Sequence, residues 1–100
     1  MPYRYALAEQ ARTLATRPLG EELRKDLLQK AGNADVVELD FSEILSTSHS
    51  FADEFVACLV EEVKAGDIDI EICVSGACRD VERVILKALE RRGLETPVLA

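Results

Sequence analysis

Two periods alternate among the apolar positions of the chain, and together they predict an α/β fold. In residues 18–31, leucines recur every fourth position, which places them on one side of a helix. Residues 35–41 are short and β-branched, and residues 68–74 alternate apolar with polar side chains, as half-buried strands do. Residues 51–65 and 77–92 return to the helical period. This succession predicts a small domain with a mostly parallel central sheet and right-handed crossover helices.

The beginning and the end of the chain carry weaker signals. Residues 3–7 fit a further strand, although the overlapping stretch ALAEQARTLA fits a helix equally well. Residues 96–99 fit a last short strand. No linker and no internal repeat divides the sequence, so we predict one domain over residues 1–100.

Charge and composition narrow the function classes. Nineteen acidic residues against twelve basic ones give a net charge of −7, and the acids are spread along the chain. Direct nucleic-acid binding is not expected, because it needs clustered lysines and arginines to neutralise phosphates. The basic side chains of residues 77–92 are interleaved with acids, which indicates a solvated, salt-bridged helix face.

The cysteines and the apolar runs bear on location and cofactors. Cys58, Cys73 and Cys78 are odd in number and lack the spacing of a disulfide framework or a zinc site. The longest apolar run, residues 55–60, is far too short to span a membrane, and no secretory signal begins the chain. We therefore expect a cytoplasmic protein with no membrane association, cofactor or metal.

A cluster of polar residues lies between the first confident strand and the next helix, in DFSEILSTSHSFADEF. Ser50 directly precedes the apolar period and Asp53 follows three residues later, so the two predict a capping box. The other hydroxyl residues form a loop at the carboxyl end of a parallel strand, where open α/β sheets place their sites. The residues predicted for a partner-binding or switch site are Asp40, Ser42, Ser46, Thr47, Ser48, His49, Ser50, Asp53 and Glu54.

The chemistry of this cluster favours a switch over a hydrolase. His49 lies between Ser48 and Ser50 in sequence, which is too local for a convergent catalytic triad. A phosphate at the front of the helix would be tolerated by free amides and would add negative charge to an acidic surface. Such a modification would leave the fold intact and release a partner.

The strand VVELDFSEI, the loop STSHS and the helix FADEFVACLVEE resemble the STAS-like family of unknown function. The upstream TRPLGEELRKDLL is similar to that family's Arg-x-x-Gly helix, and the resemblance covers about residues 12–92. It implies a fold related to sulphate-transporter and anti-sigma-factor-antagonist domains. Those modules bind protein partners, often switch kinases, and are regulated by serine phosphorylation at this helix start.

The turn departs from the antagonist pattern. Antagonists carry Asp-Ser-Ser-Gly where this chain has Ser48-His49-Ser50-Phe51, so by position His49 falls on the usual phosphoacceptor. The resemblance therefore implies the place of a partner-binding edge rather than the modification chemistry. The partner it implies is a switch kinase or a transcription regulator.

An enzymatic alternative comes from CVSGACRD, in which Cys73 and Arg79 have the spacing of a phosphatase loop between a strand and a helix. A thiolate among loop amides and an arginine is a credible nucleophile for phosphate. Against this alternative, Asp80 stands where a serine or threonine is expected, and its charge would repel phosphate. We therefore expect a non-catalytic interaction module that docks a partner through the loop of residues 42–54 and the following helix. A small phosphatase or arsenate reductase-like enzyme is the alternative. A homodimer through the final strand or the first helix is a third possibility.

Overall fold

The protein is described here by a computed structural model that covers residues 2–66, 68–95 and 97–99. Its strands are β1 (Pro2–Ala6), β2 (Val36–Asp40), β3 (Glu71–Ser75) and β4 (Val98–Leu99). Its α-helices are α1 (Arg17–Ala31), α2 (His49–Ala52), α3 (Cys58–Ala65) and α4 (Arg79–Arg91). A 3-10 turn, Leu7–Glu9, follows β1, and a π-helical segment, Asp53–Ala57, joins α2 to α3 in one continuous helix.

The predicted α/β fold is confirmed, with shifts at the ends of the elements. The strand predicted over residues 68–74 begins only at Glu71, because its parallel register pairs Glu71 with Val36, the first residue of β2. The strand predicted over residues 3–7 forms as β1. Of the strand predicted over residues 96–99, Val98–Leu99 forms, and residue 96 lies outside the described residues.

All four strands are parallel and lie in the order β1-β2-β3-β4. Tyr5, Leu39 and Val74 are matched in register and buried, so they point to the helix layer. Right-handed crossovers between successive neighbours put every helix on the same side. The described helices accordingly share one face of the sheet. The other side, called the open face below, is formed by Arg4, Ala6, Glu38, Asp40, Cys73 and Ser75.

An aromatic stack joins the helix layer to the edge of the sheet. The rings of Phe51 and Phe55 lie 5.4 Å apart, and those of Phe55 and Tyr5 lie 6.1 Å apart. All three side chains are buried, and the Tyr5 hydroxyl donates a hydrogen bond of 2.8 Å to Asp26 on α1. This stack fixes α2, and therefore the loop before it, against β1.

In residues 2–66, 68–95 and 97–99, no helix is long and apolar enough to cross a bilayer.

Candidate functional site

The loop that follows β2 begins with a tight turn at the carboxyl end of the sheet. The N–H of Phe41 donates to the Ser75 carbonyl at 2.8 Å, and the N–H of Ile44 donates to the Phe41 carbonyl at 3.1 Å. Phe41 and Ile44 are both buried, and Glu43 between them has a φ of 69°. A left-handed conformation costs a residue with a side chain roughly 1–2 kcal/mol. The two buried anchors hold the turn in spite of that cost.

The far end of this loop is bound to the segment before α1. The N–H of Ser48 donates to the Leu14 carbonyl at 2.9 Å, and the Thr47 hydroxyl donates to the same oxygen at 3.1 Å. The Ser48 hydroxyl donates to the Ala15 carbonyl at 2.8 Å and accepts from the N–H of Phe51 at 3.0 Å. Ser48 is therefore at once the anchor of the loop and the N-cap of α2.

This arrangement corrects the predicted capping box. Ser50 is not the N-cap, because the hydrogen bonds of Ser48 to the segment before α1 start the helix at His49. Asp53 does not reach back to Ser50. Its carboxylate turns instead to two arginines from neighbouring helices.

Asp53 is the centre of a network that joins three helices. The guanidinium of Arg92 donates to both of its carboxylate oxygens, at 2.5 and 2.8 Å, and Arg17 donates to Oδ2 at 2.7 Å. The hydrogen bond from Arg92, followed by that from Arg17, lowers the pKa of Asp53 to about 2. Arg17 begins α1 and Arg92 follows α4, so the network joins both helices to the π-helical segment that begins at Asp53.

Glu54 has a similar structural role. Arg24 of α1, whose side chain is only 12% exposed, donates to the Glu54 carboxylate at 2.9 Å and to its backbone carbonyl at 2.6 Å. Gly20 allows this close approach, since a Cβ at that position would lie 2.9 Å from the Cβ of Glu54. Asp53 and Glu54 are both among the residues predicted for a partner-binding or switch site. They instead form intramolecular ion pairs, and the Arg17-x-x-Gly20 pattern packs α1 against them.

Asp40 is the buried member of the predicted site. Its side chain lies on the open face, where it forms an ion pair with Arg4 and accepts from the N–H of Ser42 at 2.8 Å. The hydrogen bonds from Ser42, and after them Arg4, hold the pKa of Asp40 below its ordinary value. Asp40 therefore shapes the start of the loop, and its side chain is only 7% exposed.

Three of the other predicted residues, Ser46, Thr47 and Ser48, border a groove between two loops, whereas His49 and Ser50 line a separate cavity. A cavity of about 360 Å³ lies between residues 12–15 and residues 43–48, and both Thr47 and Ser48 line it. Ser46 also lines the groove and is exposed. Leu45, which the sequence analysis did not select, is 83% exposed at the same groove. Its place in the sequence could have identified it. Leu45 is an apolar residue in a polar loop, and neither the helical nor the strand period accounts for it.

The comparisons with known proteins bear on this region. A family model for a STAS-like domain of unknown function matches residues 20–82. The chain belongs to that STAS-like family. Curated proteins and solved structures gave no significant match. The matched part of the STAS-like domain runs from α1 through the loop after β2 into α4, and membership suggests a regulatory module.

The phosphatase-like pattern of this STAS-like domain has no support from its geometry. Cys73 lies in the middle of β3, paired with Glu38, while the strand continues to Ser75. Its thiol is therefore not at the strand end, where loop amides and Arg79 at the start of α4 would surround a nucleophile. Within the described residues, no group of three or more His, Cys, Asp or Glu side chains could hold a metal ion.

Proposed function

We propose that this STAS-like domain is a non-catalytic regulatory module that binds a partner protein through the groove between residues 12–15 and 43–48. Leu45 carries the proposal, because it is 83% exposed at the rim of that groove. A fully exposed leucine forgoes roughly 1.5–3 kcal/mol of burial free energy. A partner that covers Leu45 gains this free energy.

The loop is held in place before any partner arrives. Its first turn is fixed by the buried Phe41 and Ile44, and its last residues are bound to the carbonyls of Leu14 and Ala15. Ordering a flexible side chain or loop on binding costs about 0.5–1.5 kcal/mol for each immobilised side chain. A loop already fixed at both ends avoids much of that cost. An interface that gains most of its binding free energy from one apolar side chain depends on keeping that cost low.

The surroundings of Leu45 indicate the kind of partner. Ser46 is an exposed polar residue that lines the same groove, and such residues suit the rim of an interface. The net charge of −7 would speed association with a basic surface. A switch kinase or a transcription regulator with such a surface fits both features. The three cysteines are unpaired, which fits a reducing cytoplasm.

The test is a binding measurement with a matched control. The tagged domain is used to capture partners from its native cells, and each purified partner is titrated against the wild type, Leu45→Ser and Ile68→Ser. Ile68, at 44% exposure, is the other large apolar side chain exposed in the described residues, and it lies outside the groove. Leu45→Ser should weaken binding at least about tenfold, while Ile68→Ser leaves it unchanged. Equal affinities for all three proteins would refute the groove as the binding site.

A further inference from the structure

A second cavity lies where the start of α1, the start of α2 and the end of α4 meet. It has a volume of about 360 Å³ and is separate from the groove at Leu45. Three arginines and the chain's one histidine line it, and Asp53 is the only carboxylate in its lining: the basic residues are Arg17, Arg91, Arg92 and His49. In a chain with a net charge of −7, this is a locally basic concave surface.

The internal network leaves part of this positive charge unused. Arg92 directs its Nε and Nη2 to Asp53 and its Nη1 to Glu61 at 3.0 Å, so each of its three nitrogens already donates one hydrogen bond. Arg17 uses Nη1 for Asp53, and its side chain remains 52% exposed. Arg91 is exposed and has no hydrogen bond or ion pair within residues 2–66, 68–95 and 97–99. A guanidinium has five N–H donors, so the cavity retains a surplus of them.

We propose that this cavity binds a phosphate or phosphomonoester dianion between Arg17, Arg91 and His49. Guanidinium groups recognise phosphate through paired N–H donors, which gives both strength and orientation. The volume lies within the range of small-ligand sites, so the cavity has room for the organic part of a phosphomonoester beside its phosphoryl group. The proposal does not depend on the partner groove, since no residue lines both cavities.

Amide NMR titration tests the proposal with inorganic phosphate at constant ionic strength, using chloride as the reference anion. The wild type should show saturable shifts at His49, Ser50 and Arg91. Arg91→Gln should weaken binding about tenfold, because it removes charge-assisted hydrogen bonds without breaking an internal contact. Arg83→Gln is the matched control, since Arg83 is exposed on the same helix, does not line the cavity, and its substitution changes the net charge equally.

A second titration with phenyl phosphate distinguishes the two sources of the anion. Binding of phenyl phosphate at the same amides identifies a phosphomonoester site, and its exclusion while inorganic phosphate still binds identifies a site for free phosphate. Shifts that do not saturate, or that are equally weakened by Arg91→Gln and Arg83→Gln, would show only general charge screening and would overturn the proposal. Circular dichroism of each variant checks that the fold is retained.

Discussion

The Asp53 network provides the most quantitative prediction, through the substitution Asp53→Asn. The side chain of Asp53 is 17% exposed, and its pKa falls from an ordinary value of 3.8 to about 2. At about 1.4 kcal/mol for each pKa unit, the charged form stabilises the fold by about 2 kcal/mol. Asparagine keeps the shape of the side chain and removes the charge. We therefore expect Asp53→Asn to lower the free energy of unfolding at neutral pH by about 2 kcal/mol.

The pH dependence of the free energy of unfolding provides a second test of the contribution from Asp53. Because the pKa of Asp53 is lower in the folded than in the unfolded chain, its stabilisation is complete above pH 3.8 and is lost as the pH falls through about 2. The difference in unfolding free energy between the wild type and Asp53→Asn should stay constant from neutral pH down to about 5. It should then shrink between pH 4 and about 2.

Urea denaturation followed by far-ultraviolet circular dichroism measures both effects. In a thermal scan, the same loss corresponds to a decrease in Tm of roughly 8–16 °C for a domain of this size. Glu21→Gln is the control, since Glu21 forms an exposed pair with Lys25 on α1 and should contribute only a few tenths of a kcal/mol. If Asp53→Asn unfolds at the same urea concentration as this control, or if its deficit persists unchanged at low pH, the reasoning is wrong.

Three further predictions concern the packing and the enzymatic alternative. Gly20→Ala should destabilise the domain by about 1–3 kcal/mol through overpacking against Glu54, although alanine is the better helix former, and a more stable variant would contradict the close approach. Tyr5→Phe should cost about 1 kcal/mol in urea denaturation by removing the hydrogen bond to Asp26. Burial, and after it that bond, raises the pKa of Tyr5, so its contribution should fade as the pH rises above about 10, which an unchanged difference would refute. Purified protein should not hydrolyse an aryl phosphate, and turnover that Cys73→Ser abolishes would restore the phosphatase alternative.

The regular elements could be predicted from periodicity because burial on one side imposes it directly. Leu23 and Leu27 keep the helical spacing of α1 and are buried, while Ile72 and Val74 alternate along β3 and are buried. The first residue of α2 could not be predicted from periodicity. Ser48 and Ser50 have the same capping chemistry, and only the hydrogen bonds of Ser48 to a distant segment decide between them.

The position of the polar loop could be predicted from the sequence, but the contacts of its neighbouring residues could not. The polar loop does follow β2, yet Asp53 and Glu54 face neighbouring helices because Arg17, Arg24 and Arg92 lie there. Those arginines are 30 to 39 residues away along the chain from their partners, and local spacing carries no information about such contacts. The residues of the family-like sequence pattern, among them Arg17, Asp53 and Glu54, therefore serve helix packing as well as any binding surface.

The most direct test of the proposed function is the footprint of a captured partner on the domain, measured by hydrogen–deuterium exchange of the complex and of the free protein. The groove predicts that protection concentrates in residues 12–15 and 43–48, and that Leu45→Ser removes it. Protection confined to the open face of the sheet, around Arg4 and Glu38, would contradict the account.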